Sequence, residues 1–353
     1  MKTFDQFEKI AKKKKKKNLI VTVMVTLMSL GVLFIGTKMI FGRIIHDKGW
    51  EVVHTMENLE AVAFPNSNTY RWRANGGDLL HGGIKGARAK DIYGVPVYHS
   101  EYETNFSIFG INWGNSELHG RGTHYGNGLY QLKTGQKVPQ FYNINVKPSE
   151  GEAFFKPTQE ISDLKEMTGQ LVEVAITFDK PYTLSEIESM IPDNLKTNWY
   201  WIGTKSTGDP STWSDDSLFG TGPEGFTREE YLDPKAVDKA MADVTQNGEK
   251  LDKSITKTKT VEAFFSNLKA LLRAPGDATY NNTRPRDDVE AYLKTFGHLD
   301  LTDKNHRNQL EFSGIILTGP AENFAQLENA SWIYASSIGA STPNQPYYQL
   351  DKE

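Results

Sequence analysis

The chain has 353 residues and a net charge of −4. That is length for about two domains, with no global basic field of the kind that binds nucleic acid. It has no cysteine, which excludes a disulfide framework, a thiol nucleophile and cysteine-ligated zinc. Beyond about position 50 it is rich in Tyr, Trp, Asn and Gly, a mix that suits folded structure and not a disordered tail.

Residues 1–17 form a short basic tail. Thr3-Phe4-Asp5-Gln6 has the form of a helix capping box. Phe4, Phe7, Ile10 and Ala11 then recur at helical spacing on one face, which predicts a short amphipathic helix from Thr3 to Lys13. Alone, so short a helix is marginal in water. It needs a partner: the membrane surface, or a cytoplasmic protein with a groove. The lysines Lys12, Lys13, Lys14, Lys15, Lys16 and Lys17 serve as a topology signal and attract anionic lipid headgroups.

Residues 18–41 read as a transmembrane helix. From Asn18 to Thr37 there is no charge, and a bilayer core needs about 20 helical residues. Lys12–Lys17 precede the stretch, whereas Lys38, Arg43 and Lys48 follow it mixed with Asp47 and Glu51. This asymmetry predicts a cytoplasmic N-terminus and an extracytoplasmic C-terminal region. A cleaved signal peptide is the rival, but its apolar region is shorter and ends at a small-residue site. Here Lys38-Met39-Ile40-Phe41-Gly42-Arg43 follows, with no such site, so an uncleaved single-pass anchor is expected.

Residues 42–150 are expected to be β-rich and to lie next to the membrane. Ile45, Trp50, Val53, Met56 and Leu59–Val62 have helical spacing, a stalk that continues the anchor. After Pro65, Tyr70-Arg71-Trp72, Val95–Tyr98 and Tyr102–Ile108 read as strands. Asn75–Gly77, His81–Gly83 and Gly126–Gly128 read as turns, and Gly82–Gly86 as a glycine-rich turn too weak for a phosphate loop. Glu117, His119 and His124 could tempt a metal assignment, but their spacing is not that of a helical zinc site.

Residues 151–353 read as an α+β domain, an α/β sandwich. Leu171–Phe178 is a strong strand. Thr183–Met190 is a short helix with Ser185 or Thr183 at its start, stopped by Pro192, and Trp199–Ile202 is the next strand. The order recurs as strand Phe312–Thr318, Pro320, helix Glu322–Glu328 and strand Trp332–Ala335. Two β–Pro–α–β units in one sheet suggest a split βαβ, ferredoxin-like plan, with Phe178, Trp201, Ile316 and Trp332 near a common core. Between the units, helices are expected over Gly225–Ala242, where Thr227–Glu230 matches a capping box, over Val261–Arg273 and over Asp287–Phe296.

No nucleophile motif, metalloprotease motif or P-loop occurs, so neither an enzyme nor a cofactor is expected. Asp215-Asp216 sits in a loop, and Asp287-Asp288 opens a helix, where acids suit the dipole.

The plan resembles the bacterial sigma factor regulator family of membrane-bound anti-sigma factors. Phe7-Glu8-Lys9-Ile10-Ala11-Lys12-Lys13 before the span is similar to that family's N-terminal signature. Gly169–Phe178, Ile202-Gly203, Phe264-Phe265, Leu317-Thr318-Gly319-Pro320 and Trp332 are similar to its C-terminal domain. The resemblance implies control of an extracytoplasmic-function sigma factor, with an outer domain that senses the envelope. One departure matters. Many anti-sigma factors hold their partner with a folded cytoplasmic domain, often zinc-binding, and residues 1–17 contain neither His nor Cys. So either Phe4, Phe7 and Ile10 are the binding face, or a second small membrane protein shares the task. The alternatives are an envelope sensor or structural protein whose tail only touches lipid, and a wall-facing ligand-binding or enzyme domain.

Overall fold

The structure, a computed structural model, describes residues 2–112, 122–125, 128–131, 133–146, 156–205, 211–212, 218–226, 228–232, 258–273 and 283–351. One helix, α1 (Lys2–Glu60), joins tail, span and stalk into 59 residues. No proline precedes Pro65, so nothing stops the helix as it runs through the lysines. The separate tail helix therefore does not form, and Thr3 lies inside α1 instead of capping it. Leu19, Leu27, Leu33 and Ile40 are exposed along its apolar part, which is long and apolar enough to cross a membrane.

Past Glu60 the chain turns through Phe64-Pro65-Asn66. Phe64 and Asn66 both have positive φ, 55° and 54°, a conformation that costs a bulky side chain energy. Then β1 (Ser67–Gly77), β2 (His81–Ile92), β3 (Val95–Ser107) and β4 (Gly110–Asn112) form an antiparallel sheet in that order. The turns expected at His81–Gly83 and Gly82–Gly86 are instead part of β2, and Asn75–Gly77 ends β1. These glycines make room for rings. A Cβ on Gly82 would stand 2.5 Å from Phe106 Cε2, and one on Gly86 would stand 2.9 Å from Trp72 Cζ3. Val95–Tyr98 and Tyr102–Ser107 are parts of one strand.

A small sheet follows: β5 (Gly122–Tyr125), β6 (Gly128–Gln131) and β7 (Lys137–Val138). Gly126 and Asn127, like Glu117 and His119, lie outside the described residues. After β8 (Phe141–Tyr142) come β9 (Gln170–Thr183), α2 (Leu184–Met190) and β10 (Lys196–Trp201). Of Ser185 and Thr183, it is Thr183 that caps α2: its hydroxyl accepts from Glu186 N, and Glu186 accepts from Thr183 N. Next are β11 (Ser211–Thr212), which pairs with β8, and β12 (Gly220–Thr221).

The helix expected from Gly225 is not there. β13 (Arg228–Leu232) pairs with β14 (Thr258–Glu262), so a long-range ladder overrides the local capping signal, while residues 233–242 lie outside the described ones. α3 (Ala263–Arg273), α4 (Thr283–Phe296) and the short α5 (Lys304–Arg307) lead to β15 (Glu311–Pro320). A 3-10 segment, Ala321–Leu327, replaces the α-helix expected there and leads to β16 (Ile333–Pro343).

The main sheet has the order β12-β10-β15-β9-β16, and every neighbouring pair is antiparallel. β9 and β10 flank β15, so they run parallel with a strand between them. β15 and β16 flank β9 in the same way. The two units are thus interleaved in one α+β sheet.

Side chains alternate across this sheet. Val172, Val174, Ile176, Phe178, Ile315 and Leu317 join one core with α2, α3, α4 and the end of α1. Phe141, Ala175, Trp199, Trp201 and Ile316 form a second. The expected single core therefore divides: Phe178 and Trp332 pack together, ring centroids 5.6 Å apart, whereas Trp201 and Ile316 belong to the other cluster.

Candidate functional site

Two regions carry the functional argument: the N-terminal end of α1, and the joint where α1 meets the sheets. At the first, Phe7 and Ile10 are 72% and 63% exposed. Phe4 lies on the same helix, and its side chain lies outside the described residues. Lys12 pairs with Glu8 at 2.7 Å, an exposed pair four residues apart. Such a pair adds only a few tenths of a kcal/mol to a helix, on the order of 0.3–0.5.

The joint begins at Glu60, the last residue of α1. Its Oε1 accepts from Arg88 Nε at 2.7 Å and from Thr69 Oγ1 at 2.5 Å. The Arg88 guanidinium is buried and lies 4.0 Å from the centroid of the Phe64 ring, a cation–π contact. Two residues along β2, Lys90 donates to Glu173 Oε1 at 2.9 Å and to the Pro65 carbonyl at 3.2 Å. Asn66 Nδ2 also donates to Glu173 Oε1, at 2.9 Å, and Ala340 N donates to Oε2 at 3.1 Å.

The network continues across the main sheet. Asn198 donates to Asn66 Oδ1 at 3.0 Å, and Thr318 Oγ1 donates to Asn198 Oδ1 at 2.7 Å. Glu173, Asn198 and Thr318 come from β9, β10 and β15. The register irregularity between Thr197 and Trp199 lets Asn198 reach Thr318 while Trp199 and Trp201 pack with Ile316. At the margin, Lys196 pairs with both Asp91 and Asp351. Burial opposes its charge, but its hydrogen bonds to Asp351 and Asp91 win, and its affinity for protons is raised.

Sequence reading missed this joint, although one signal was present. Glu173 is the one charge in the mostly apolar run Leu171–Phe178, and a charge in a strand buried on both faces needs a partner. Which residue supplies it, Lys90, is decided by contacts far apart in the chain.

Two of the cavities among the described residues lie outside the joint. One, of about 360 Å³, is lined by Asn143, Thr177, Trp201, Asp288, Tyr292 and Glu311 among others. Asp288 accepts from Lys205 N at 2.7 Å, yet burial raises its carboxyl above the ordinary 3.8. Far from merely opening a helix, it stands one turn inside α4 and faces this cavity. Among the described residues the buried Tyr292 hydroxyl has no hydrogen-bond partner, and burial, with Glu311 nearby, raises its ionisation well above normal. The other cavity, about 490 Å³, separates α1 from β1 and β2 and is lined by Ile45, Trp50, Trp72, Ile84 and Phe106 among others. Among the described residues no group of three or more metal-binding side chains comes together.

No curated protein and no solved structure matches the chain at a significant level. The sigma factor regulator C-terminal family, a regulatory family, matches residues 164–340, half of the chain and the whole interleaved sheet from β9 to most of β16. A β-rich α+β region behind one long apolar helix, built around a polar joint, is thus the architecture of a chain that belongs to the sigma factor regulator family.

Proposed function

We propose that this protein is a single-pass membrane anti-sigma factor of an extracytoplasmic-function sigma factor. In this reading α1 crosses the membrane over residues 18–41 with residues 1–17 in the cytoplasm. Residues 42–150 and 151–353 lie outside and sense the state of the envelope. Phe4, Phe7 and Ile10 form the face that holds the sigma factor, and Lys12–Lys17 lie against anionic headgroups.

The observation that carries this reading is the continuity of α1. A helix bound to lipid by one face lies in the plane of the interface. α1 instead runs straight on from the span, so Ile10 stands about 12 Å and Phe4 about 20 Å below Asn18 at about 1.5 Å per residue. An exposed apolar face held off the bilayer fits a protein groove better than a lipid surface. A second small membrane protein beside the span would share the load. The cavity at Asp288 and Tyr292, where the Tyr292 hydroxyl has no partner among the described residues, supports ligand binding as the sensing event.

The test is a promoter reporter combined with a membrane-fraction blot. Phe4→Ala with Phe7→Ala is expected to raise transcription from the sigma factor's promoters and leave membrane insertion unchanged. Replacing two of the six lysines by Gln is expected to do little. Unchanged reporter output with the double alanine variant in the membrane would refute direct binding by this face. An alkaline phosphatase fusion at Glu353 that stays inactive would refute the orientation.

A further inference from the structure

The outer sheet runs down beside α1 toward the membrane, and side-chain contacts fix the alignment. Glu60 meets Arg88. A Cβ on Gly49 would stand 3.9 Å from Ile84 Cδ1, and one on Gly82 would stand 3.1 Å from Ile45 Cγ2. From Glu60 back to Ile45 the helix descends about 22 Å. From Arg88 back to Gly82 the strand descends about 20 Å. The two elements therefore run side by side, and residues can be matched level by level.

Below Gly82 comes the turn Asp78-Leu79-Leu80. Leu80 lies about 6 Å further down, at the level of Phe41. Asp78 Oδ1 accepts from Leu80 N at 2.7 Å and from His81 N at 2.8 Å, which fixes this tip. A second tip lies beside it. Ser107 is opposite His81 in the sheet, the chain turns at Ile108-Phe109 into β4, and Ile108 N donates to the Leu80 carbonyl at 3.0 Å. Leu79, Leu80 and Ile108 are half-buried, and Phe109 is 89% exposed.

If the hydrocarbon core ends near Thr37, the polar interface extends about 6 Å beyond it, which is the level of Phe41. We propose that the tips Leu79-Leu80 and Ile108-Phe109 rest in the outer interface of the membrane, with the Phe109 ring inserted among the lipids. The outer sheet is then held on the bilayer at a second point besides α1. This inference rests on the reading that α1 spans a membrane. An aromatic ring at a loop tip, exposed to water, would gain by moving into lipid, and Asp78 stays at headgroup height with its carboxylate bonded to amides.

Because the chain has no cysteine, single cysteines can carry spin labels in the full-length protein. Phe109→Cys, Leu30→Cys within the span and Tyr347→Cys near the β2–β3 end would each be labelled in vesicles of phosphatidylethanolamine and phosphatidylglycerol. Tyr347 is exposed, and its neighbour Tyr348 packs with Ile92, Tyr93 and Val95, at the far end of β2 from the tip. Collision rates with oxygen and with a water-soluble nickel chelate report depth. The label at 109 is expected to meet the nickel chelate several-fold less often than the label at 347, and oxygen more often. Equal nickel exposure at 109 and 347, with the label at 30 shielded, overturns the tip proposal alone. A label at 30 that meets the nickel chelate freely overturns the spanning reading and the proposal with it.

Discussion

The Lys90 ammonium lies 2.9 Å from Glu173 Oε1, and the two side chains are 1% and 0% exposed. Lys90 belongs to the sheet beside α1, and Glu173 to an inner strand of the sheet that the family model covers. The pair is thus a buried ionic tie between the two sheets. Desolvation offsets most of the Coulomb attraction in such a pair, but removing one partner strands the other charge.

Lys90→Met is therefore expected to destabilise the folded sheets by about 3–5 kcal/mol. Adding Glu173→Gln should recover much of that loss, because it removes the stranded charge and its one amide oxygen can still accept from Asn66 or from Ala340 N. Denaturant unfolding of the detergent-solubilised chain, followed by near-ultraviolet circular dichroism, measures both. A double variant whose loss equals the sum of the single losses would show that the tie is not a coupled unit.

The two faces of the main sheet make different demands on tryptophan. Trp201 is 3% exposed and its ring centroid lies 4.9 Å from that of Phe141. Trp201→Ala should cost about 3–5 kcal/mol through the cavity it leaves. Trp332 is only half-buried against Phe178, and Trp332→Ala should cost less, roughly 1–2 kcal/mol. Comparing the midpoints of the two variants tests the assignment.

The cap of α2 gives an acid-side prediction. The Thr183 amide, then its hydroxyl, hold the Glu186 carboxyl below its ordinary 4.5. Stability from this group is present above that value and is lost as pH falls through the lower folded value. Glu186→Gln should flatten this part of the acid limb of a melting curve. Thr183→Ala should cost about 1 kcal/mol at neutral pH. Thermal melts from neutral pH down to the acid transition check both.

Asp288 behaves in the opposite sense. Burial raises its carboxyl above 3.8, so the folded state binds the extra proton between the two values. Its unfavourable contribution is absent below 3.8, grows as pH rises from there to the folded value, and is complete above it. Asp288→Asn keeps an acceptor for Lys205 N and is expected to raise the melting temperature at neutral pH but not at acid pH. Equal effects at both would mean that ionisation plays no part.

The sequence by itself determined the elements whose signals are local. An uncharged stretch behind six lysines specifies the apolar helix. Thr183 and Glu186 specify the start of α2 through their own hydrogen bonds, and the apolar run Leu171–Phe178 specifies a strand. It also carried enough pattern, from Gly169 to Trp332, to indicate the family. What only the tertiary structure decided depends on residues far apart in the chain. Gly82 and Gly86 read as turn residues, but lie within a strand because Phe106 and Trp72 occupy the space their side chains would need. Arg228–Leu232 reads as a helix start, but the ladder to Thr258–Glu262 makes it a strand. The partner of Glu173 could not be read either, because a buried charge announces only that it needs compensation. Lys90 supplies it through a contact that long-range strand packing alone creates.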